Sequence, residues 1–263
     1  MKATILGTGP SEGVPAPLCS CKYCLRNSRT RPSVHVEADD RSILLDVSPD
    51  VRKQLFDNSI TSLDSLLVTH FHYDHSNGIR DLYNTTTRLE KLGVEDEVED
   101  HIVDYLGKEF DLYCSPFTEE KLRGEVAYAM NNHGFNVQTT EEDSFVTGNV
   151  KVSSFITEHT RGYVGFVLEH NDQKLVYNPD HGVPRTDEEF EDVDVLVYDA
   201  SALIGYEVHG DKNQFLDFID RVNPSEIYFT NVSEHVSQRS TEQIKEIIDM
   251  ENAYVVEDGT RIL

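Results

Sequence analysis

The sequence predicts an α+β fold, and more specifically a four-layer αββα sandwich. Short apolar runs that predict strands alternate with helical patterns along the 263 residues, an alternation typical of both α/β and α+β proteins. The predicted strands fall into two groups, one in each half of the chain, and the helical patterns lie between and after them. Each group can form a sheet that buries one face against the other sheet, so helices on the two outer faces complete the sandwich.

In the first half, the predicted strands are short runs rich in Val, Ile and Leu, and they span residues 3–7, 33–37, 42–47, 63–69 and 110–114. The second and third of these strands predict a hairpin. The stretch 84–136 has a different character, because it contains the acidic run 95–100. We interpret it as an inserted segment or lid within a single domain that covers residues 1–263.

The second half repeats the alternation of strands and helices. Its predicted strands span residues 150–156, 163–169, 174–177, 193–198, 226–229 and 254–256. Its predicted helices span residues 187–191, 211–222 and 241–250, and Asp211 has the residue type expected of an N-terminal cap. Neither a short-period repeat nor a low-complexity tract interrupts this order.

Composition limits the partners that the chain can have. Hydrophobic residues make up 38% of the sequence, and no apolar run approaches the roughly 20 residues of a membrane span. Residues 1–10 lack the layout of a secretory signal, so we expect a cytoplasmic protein. The 23 basic and 48 acidic residues give a net charge of −25, which repels phosphate backbones. We expect a small-molecule substrate, no nucleic acid and no membrane, and leave the choice between a monomer and a homodimer open.

Four metal-ligand side chains follow the predicted strand 63–69 within six residues, namely His70, His72, Asp74 and His75. Residues two apart on an extended segment point to the same side, so His70 and His72 can bind one ion together. Asp74 and His75 follow as the chain turns and can reach a second position. Imidazole and carboxylate suit zinc, iron or manganese. The spacing therefore favours a metal site over a surface loop that is merely rich in histidine.

This H-x-H-x-D-H run resembles the signature of the metallo-β-lactamase superfamily, and the resemblance covers nearly the whole chain. It implies that Asp74 is both a metal ligand and a catalytic residue. It also implies that Asp46 orients a ligand without binding metal. Two further ligands are expected at strand ends: His159 completes the first metal site, and Asp180 bridges two ions.

Three of the four cysteines lie close together, at Cys19, Cys21 and Cys24. In a cytosolic chain such a cluster binds metal more often than it forms disulfides. Three thiolates at this spacing can ligate one tetrahedral zinc, which needs a fourth ligand from elsewhere. Three loop cysteines without metal are the alternative. Cys114 stands apart and is predicted to be a buried strand residue.

Together, the two motifs resemble one branch of the superfamily, which includes the phosphoribosyl cyclic phosphodiesterase of the carbon–phosphorus lyase pathway and the pyrroloquinoline-quinone biosynthesis protein B. In that branch a histidine of the C-terminal half joins the cysteines around a structural zinc. The family pattern Thr-His-Ile-x-His is altered here, because Asn231 stands where a ligand of the second catalytic metal is expected. We predict that His235 completes the cysteine site. The alternative is that His235 replaces the missing catalytic ligand.

Three functions are compatible with these motifs. The first is a phosphodiesterase for a small, linear or cyclic phosphodiester, with one or two Zn²⁺ or Mn²⁺ ions that activate water and a structural Zn²⁺ at the cysteines. The second is hydrolysis of a lactone, thioester or other acyl compound on the same scaffold. The third is a non-hydrolytic ligand-binding protein, which Asn231 would permit. The cysteine cluster favours the first.

We predict that His209 is the general acid. It precedes the helix that begins after Asp211, and it resembles the non-ligand histidine with which the phosphodiesterase branch protonates a departing sugar oxygen. The variant His209→Ala should lose about 10²–10⁴-fold in rate on an alkyl ester, but little on a p-nitrophenyl ester, whose leaving group needs no proton. Its metal content should not change. An equal loss on both esters would contradict this role.

Overall fold

The computed structural model describes residues 1–87, 106–131, 133–180, 190–205 and 211–263. Within these ranges the strands are β1 Lys2–Gly7, β2 Ser33–Ala38, β3 Arg41–Leu45, β4 Ser65–Leu67, β5 Phe110–Cys114, β6 Phe135–Thr139, β7 Ser144–Thr147, β8 Val150–Ile156, β9 Val164–His170, β10 Gln173–Asn178, β11 Val195–Asp199, β12 Glu226–Thr230, β13 Ala253–Tyr254 and β14 Thr260–Arg261. The helices are α1 Val51–Asp57, α2 Tyr73–Ser76, α3 Ile79–Leu82, α4 Pro116–Glu125, α5 Ala127–Met130, α6 Lys212–Val222, α7 Glu234–Ser237 and α8 Thr241–Ile248, with a 3₁₀ turn at Tyr83–Thr86.

The described strands form two mixed sheets, and each sheet has antiparallel pairs on one side and parallel pairs on the other. The first has the order β14-β1-β2-β3-β4-β5-β6, and the second has the order β13-β12-β11-β10-β9-β8-β7. In the first sheet the pairs from β14 to β3 are antiparallel and the pairs from β3 to β6 are parallel. In the second sheet the pairs from β7 to β10 are antiparallel and the pairs from β10 to β13 are parallel. Parallel strands of both sheets can therefore bring their carboxyl ends to one edge of the sandwich.

The two sheets pack face to face over a shared apolar core. Ile43 and Leu45 of β3 belong to this core together with Tyr177 of β10 and Val197 of β11. Between them, Leu44 points the other way and packs with the helices of the first half. This alternation follows from the two-residue period of a strand, and it explains why strands buried on both faces have nearly continuous apolar sequences.

Helices cover both outer faces of the sandwich. Val51 of α1 and Leu122 of α4 pack on the first sheet, and Phe215 and Phe218 of α6 pack on the second. Asp211 caps α6, where its carboxylate accepts hydrogen bonds from two backbone N–H groups of the first turn. The predicted αββα sandwich is therefore confirmed. Among the described residues, none of the helices is both long and apolar enough to cross a bilayer.

The structure differs from the sequence-based prediction mainly at the ends of the sheets. The sequence did not predict β6 or β7, which carry polar and exposed positions because each is the edge strand of its sheet. Part of the predicted inserted segment 84–136 lies outside the described residues. Its described remainder contains β5, which pairs with β4 inside the first sheet, so this remainder belongs to the core architecture. Most of the predicted helix 187–191 also lies outside the described residues.

Candidate metal centres

One edge of the sandwich collects the side chains of the histidine motif. His70 and His72 follow β4, while Asp180 follows β10. His159 lies in the turn between β8 and β9. Ligand atoms of these four residues all lie within 4.8 Å of one another. The structure therefore brings together three imidazoles and one carboxylate from a stretch that runs from residue 70 to residue 180.

Asp180 stands at the centre of this group. Its Oδ2 atom lies 3.4 Å from Nε2 of His70, 3.3 Å from Nε2 of His75 and 3.2 Å from Nε2 of His159. Asp74 approaches the same point, because its Oδ2 atom lies 3.3 Å from Nε2 of His75. One carboxylate oxygen thus faces two neighbouring sets of nitrogen and oxygen donors, one that includes His70 and His159 and one that includes Asp74 and His75.

The buried carboxylate of Asp46 fixes His75 from behind. Its Oδ2 atom lies 2.7 Å from Nδ1 of His75 and accepts a hydrogen bond of 3.0 Å from the hydroxyl of Tyr177. Its Oδ1 atom accepts the backbone N–H of Thr69 at 2.8 Å and is also 2.9 Å from the Thr69 hydroxyl. Asp46 therefore orients the ring of His75, whose Nε2 atom points into the cluster.

Electrostatics keeps two of the imidazoles in the form that binds metal. Burial, with a contribution from the neighbouring His75, holds the pKa of His70 well below its ordinary value. Burial also lowers the pKa of His72, helped by His159. Burial opposes the charged form of His75 as well, but the surrounding carboxylates, led by Asp180, raise its pKa well above the ordinary value. His70 and His72 are therefore neutral near pH 7, as metal ligation requires.

Unsatisfied buried atoms indicate that the cluster is built for an ion. Within the described part of the chain, Nε2 of His70 and Nε2 of His75 are buried and have no hydrogen-bond partner, although Asp180 is close to both. A buried polar atom without a partner is unfavourable by about 1–3 kcal/mol, and such atoms are rare in folded proteins. A cation between these nitrogens and Asp180 would satisfy both of them, so the residues present fit a metal centre.

Asn231 borders the cluster at the end of β12. Its side-chain amide donates hydrogen bonds of 2.8 Å to the carbonyl of Pro179 and 2.9 Å to Oδ1 of Asp180. The residue has a left-handed backbone, with φ of +55°, a conformation that Asn tolerates better than most residues. Asn231 therefore adds no imidazole, and it holds Asp180 with Oδ2 turned toward the histidines.

The cysteine motif forms a second, separate candidate metal site. Ligand atoms of Cys19, Cys21, Cys24 and His235 lie within 4.8 Å of one another, and Nδ1 of His235 is 3.4 Å from the sulfurs of Cys19 and Cys21. The structure thus places His235 with the cysteines and not with the histidine cluster. All four cysteines are among the described residues, and each is free of disulfide bonds. Cys114 is fully buried in β5, as predicted.

The environment of these sulfurs differs from one cysteine to the next. The backbone N–H of Cys24 and the side chain of His235 lower the pKa of Cys21 to about 6, so this sulfur is a thiolate near pH 7. Burial raises the pKa of Cys24 to about 11. The backbone N–H of Ala16 donates to the Cys24 sulfur at 3.4 Å. Backbone donors aimed at sulfur stabilise the negative charge that metal ligation requires.

Two tyrosines that no sequence motif indicated hold the cluster together. The hydroxyl of Tyr163 donates to the side chain of Asn178 at 2.7 Å and accepts the backbone N–H of Asp180 at 3.3 Å, while Tyr177 supports Asp46. Burial raises the pKa of both phenols well above its ordinary value, so both stay protonated. The available sequence signal was their position in predicted apolar strands, because a tyrosine hydroxyl that is buried there needs a hydrogen-bond partner.

His209, the predicted general acid, lies outside the described residues.

The fold recurs in solved structures at low sequence identity. A diphosphatase of the PhnP family aligns over 100% of this chain and 97% of its own, with 22% identity and a TM-score of 0.79. Zn²⁺-bound PqqB from Methylobacterium extorquens aligns over 100% and 99%, with 18% identity and a TM-score of 0.75. The short form of human tRNase Z aligns over 100% and 99%, with 16% identity and a TM-score of 0.66.

Two curated relatives match shorter stretches. An octanoyltransferase from Porphyromonas gingivalis is 42% identical over 87 residues, which are 31% of this chain and 18% of that protein. Coenzyme PQQ synthesis protein B from Methylobacterium radiotolerans is 33% identical over 97 residues, which are 30% of this chain and 32% of that protein. The matches thus span a third or less of each relative.

A family model described as a beta-lactamase superfamily domain matches residues 41–230, which is most of the chain. The protein therefore belongs to the metallo-β-lactamase superfamily of metal-dependent hydrolases.

Proposed function

We propose that the protein is a metal-dependent phosphodiesterase that hydrolyses a small, linear or cyclic phosphodiester. The observation that carries the proposal is the position of Asp180, whose Oδ2 atom lies within 3.4 Å of His70, His75 and His159. A carboxylate shared by two donor sets is suited to a pair of ions, and paired ions recur in enzymes that cleave phosphate esters. Structural neighbours that are a diphosphatase and a tRNase Z support the same chemistry.

In this proposal, His70, His72, His159 and Asp180 would hold the first ion, and Asp74, His75 and Asp180 would hold the second. When bound, such ions lower the pKa of water and stabilise the charge that develops on the phosphate. Asp46 and Tyr177 keep His75 oriented, and Asn231 keeps Asp180 oriented. These residues thus supply a preorganised site, and His209 is proposed to donate the proton to the leaving group.

Zinc is the ion proposed for the cysteine site, because three sulfurs and one imidazole form a donor set typical of structural zinc. The imidazole and carboxylate donors of the histidine cluster suit zinc or manganese. The net charge of −25 disfavours long nucleic acids as substrates. We therefore propose a small-molecule substrate that approaches the cationic ions without extended contacts to the surface.

Hydrolysis of an acyl compound is the second candidate. The match to an octanoyltransferase over 87 residues favours it, although the match spans only 18% of that protein. The two candidates share the metal centre and differ in the electrophile, which is phosphorus in one and a carbonyl carbon in the other. Activity on a matched pair of substrates therefore separates them.

The proposed activity predicts turnover of bis(p-nitrophenyl) phosphate by protein loaded with Zn²⁺ or Mn²⁺. We expect an acceleration of at least about 10⁶-fold over the uncatalysed reaction, and little turnover of p-nitrophenyl acetate. Release of p-nitrophenolate measures both. Preference for the acetate would favour the acyl candidate, and no turnover of either ester with either metal would favour a binding protein.

Two substitutions separate the two metal sites. The variant Cys21→Ser should lose about one zinc per chain and melt at a lower temperature, because structural zinc contributes directly to folding. The variant His72→Ala should lose turnover and keep the fold. Elemental analysis and thermal unfolding measure these effects, with Ser20→Ala, an exposed neighbour of the cysteines, as the matched control. If Cys21→Ser keeps its zinc and its melting temperature, the structural-zinc proposal is wrong.

Asn231 predicts weak binding of the second catalytic ion, since no imidazole occupies this position. Activity of the wild-type protein should then depend on added Mn²⁺ or Zn²⁺ after dialysis. The variant Asn231→His should bind that ion more tightly, which metal titration followed by calorimetry would measure. His235 lies with the cysteines and should not compensate. A wild-type protein that retains two catalytic ions through dialysis would exclude this explanation.

A further inference from the structure

The segment 231–235 connects the two candidate metal sites. At one end, the side-chain amide of Asn231 donates a hydrogen bond of 2.9 Å to Oδ1 of Asp180. At the other end, Nδ1 of His235 lies 3.4 Å from the sulfurs of Cys19 and Cys21. Four residues of extended chain span at most about 14 Å. A displacement of His235 can therefore reach Asn231 through a very short stretch of backbone.

The middle of segment 231–235 is attached to the base of the cysteine loop. The carboxylate of Glu234 forms an ion pair of 2.9 Å with Nε of Arg29, and both side chains are buried. Arg29 exchanges backbone hydrogen bonds of 2.8 and 2.9 Å with Val14, and this pair closes the loop that contains the three cysteines. The backbone N–H of Val232 donates to the carbonyl of Thr8 at 2.9 Å, and the Thr8 hydroxyl accepts a hydrogen bond of 2.7 Å from Arg29. One group of contacts thus holds the segment along its length.

The carboxylate of Glu234 is incompletely satisfied. Its Oε1 atom accepts hydrogen bonds from Arg29 and, at 2.8 Å, from the hydroxyl of Thr241. Its Oε2 atom is buried and has no hydrogen-bond partner within the described part of the chain. A buried polar atom without a partner is unfavourable, and a buried ion pair can often be replaced by apolar residues without loss of stability. Stability alone therefore does not explain a charge at this position, whereas a requirement to fix the segment does.

We propose that Glu234 is a positioning residue that couples the cysteine site to the histidine cluster. Its pairing with Arg29 keeps segment 231–235 in place, so the position of His235 among the cysteines determines how the amide of Asn231 meets Asp180. The inference rests on the proposed function, because it concerns ligands of the proposed catalytic ions. Loss of a group that orients a metal ligand lowers metal affinity about 10–100-fold. The ion affinity of the histidine cluster should therefore depend on whether the cysteine site is filled, and by linkage the reverse also holds.

Calorimetric titration with Mn²⁺ tests this coupling without turnover. Mn²⁺ suits carboxylate donors and zinc suits thiolates, so Mn²⁺ reports on the histidine cluster while zinc occupies the cysteines. The variant Glu234→Gln keeps the shape of the side chain and removes its charge, and we expect it to bind Mn²⁺ about 10-fold more weakly than the wild-type protein. The variant Thr241→Val removes only one hydrogen bond to Glu234 and should have a smaller effect in the same direction. It replaces Glu234→Gln in every comparison if that variant does not fold.

A double-mutant cycle separates positioning from a general loss of structure. In the background Asn231→Ala, the amide that joins the segment to Asp180 is absent. There, Glu234→Gln and Cys21→Ser should cause little further loss of Mn²⁺ affinity, whereas with Asn231 present each should cause a loss of about 10-fold. A general destabilisation of the fold would instead produce equal losses in both backgrounds.

The control variant is Glu246→Gln, which makes the same chemical change at an exposed position of α8 and should leave Mn²⁺ affinity unchanged. Equal affinities of Glu234→Gln and Glu246→Gln, or equal losses with and without Asn231, would overturn the coupling whether or not a phosphodiester is hydrolysed. If no phosphodiester is hydrolysed but the losses depend on Asn231, the proposed activity is wrong and the coupling stands.

Discussion

The rest of the site depends on the hydrogen bonds made by the carboxylate of Asp46. It is fully buried and contacts Thr69 and His75 of the first half as well as Tyr177 of the second sheet. A buried carboxylate is tolerated only when its oxygens are satisfied, and here its partners are the segments that carry the candidate metal ligands. The hydrogen bonds of this one carboxylate therefore join the two sheets at the edge that carries the histidine cluster.

The segment after β12 connects the two candidate metal sites. Asn231 orients Asp180 in the histidine cluster, and four residues later His235 faces the cysteines. Between them, Glu234 forms a buried ion pair of 2.9 Å with Arg29. Loss of one member of such a pair is unfavourable by about 3–5 kcal/mol, because the other charge is left buried alone. The same short segment thus contacts both the cysteine cluster and the histidine cluster.

Sequence alone predicts those parts of the site whose spacing is local. His70 and His72 lie two apart after an apolar strand, so their convergence follows from strand geometry. The three cysteines lie in a loop, and their convergence is indicated by their close spacing alone. His159 and Asp180 are single residues without a local pattern, and only the family resemblance indicated them. The layers of the fold could be predicted from the pattern of apolar residues. The strands β6 and β7 could not, because edge strands bury too little surface to show that pattern.

The contact made by Asn231 illustrates a limit of motif comparison. The sequence indicates a missing imidazole at this position but contains no information that an amide there would donate to both Pro179 and Asp180, since this depends on how β10 and β12 are placed. Gly162 is a similar case. A glycine is required at position 162 because Phe117 packs closely against it. Phe117 lies 45 positions earlier in the chain, so this contact is visible only in the folded structure.

The local charge near the histidine cluster differs from the net charge of the chain. The chain carries a net charge of −25, and at physiological salt each exposed charge is screened over about 8 Å. Close to the histidine cluster the local balance is different, because bound ions would reverse the effect of the ligand carboxylates, and Arg161 and Lys121 lie nearby without carboxylate partners among the described residues. Within one screening length, the proposed phosphodiester substrate would therefore interact with the site more strongly than with the rest of the surface.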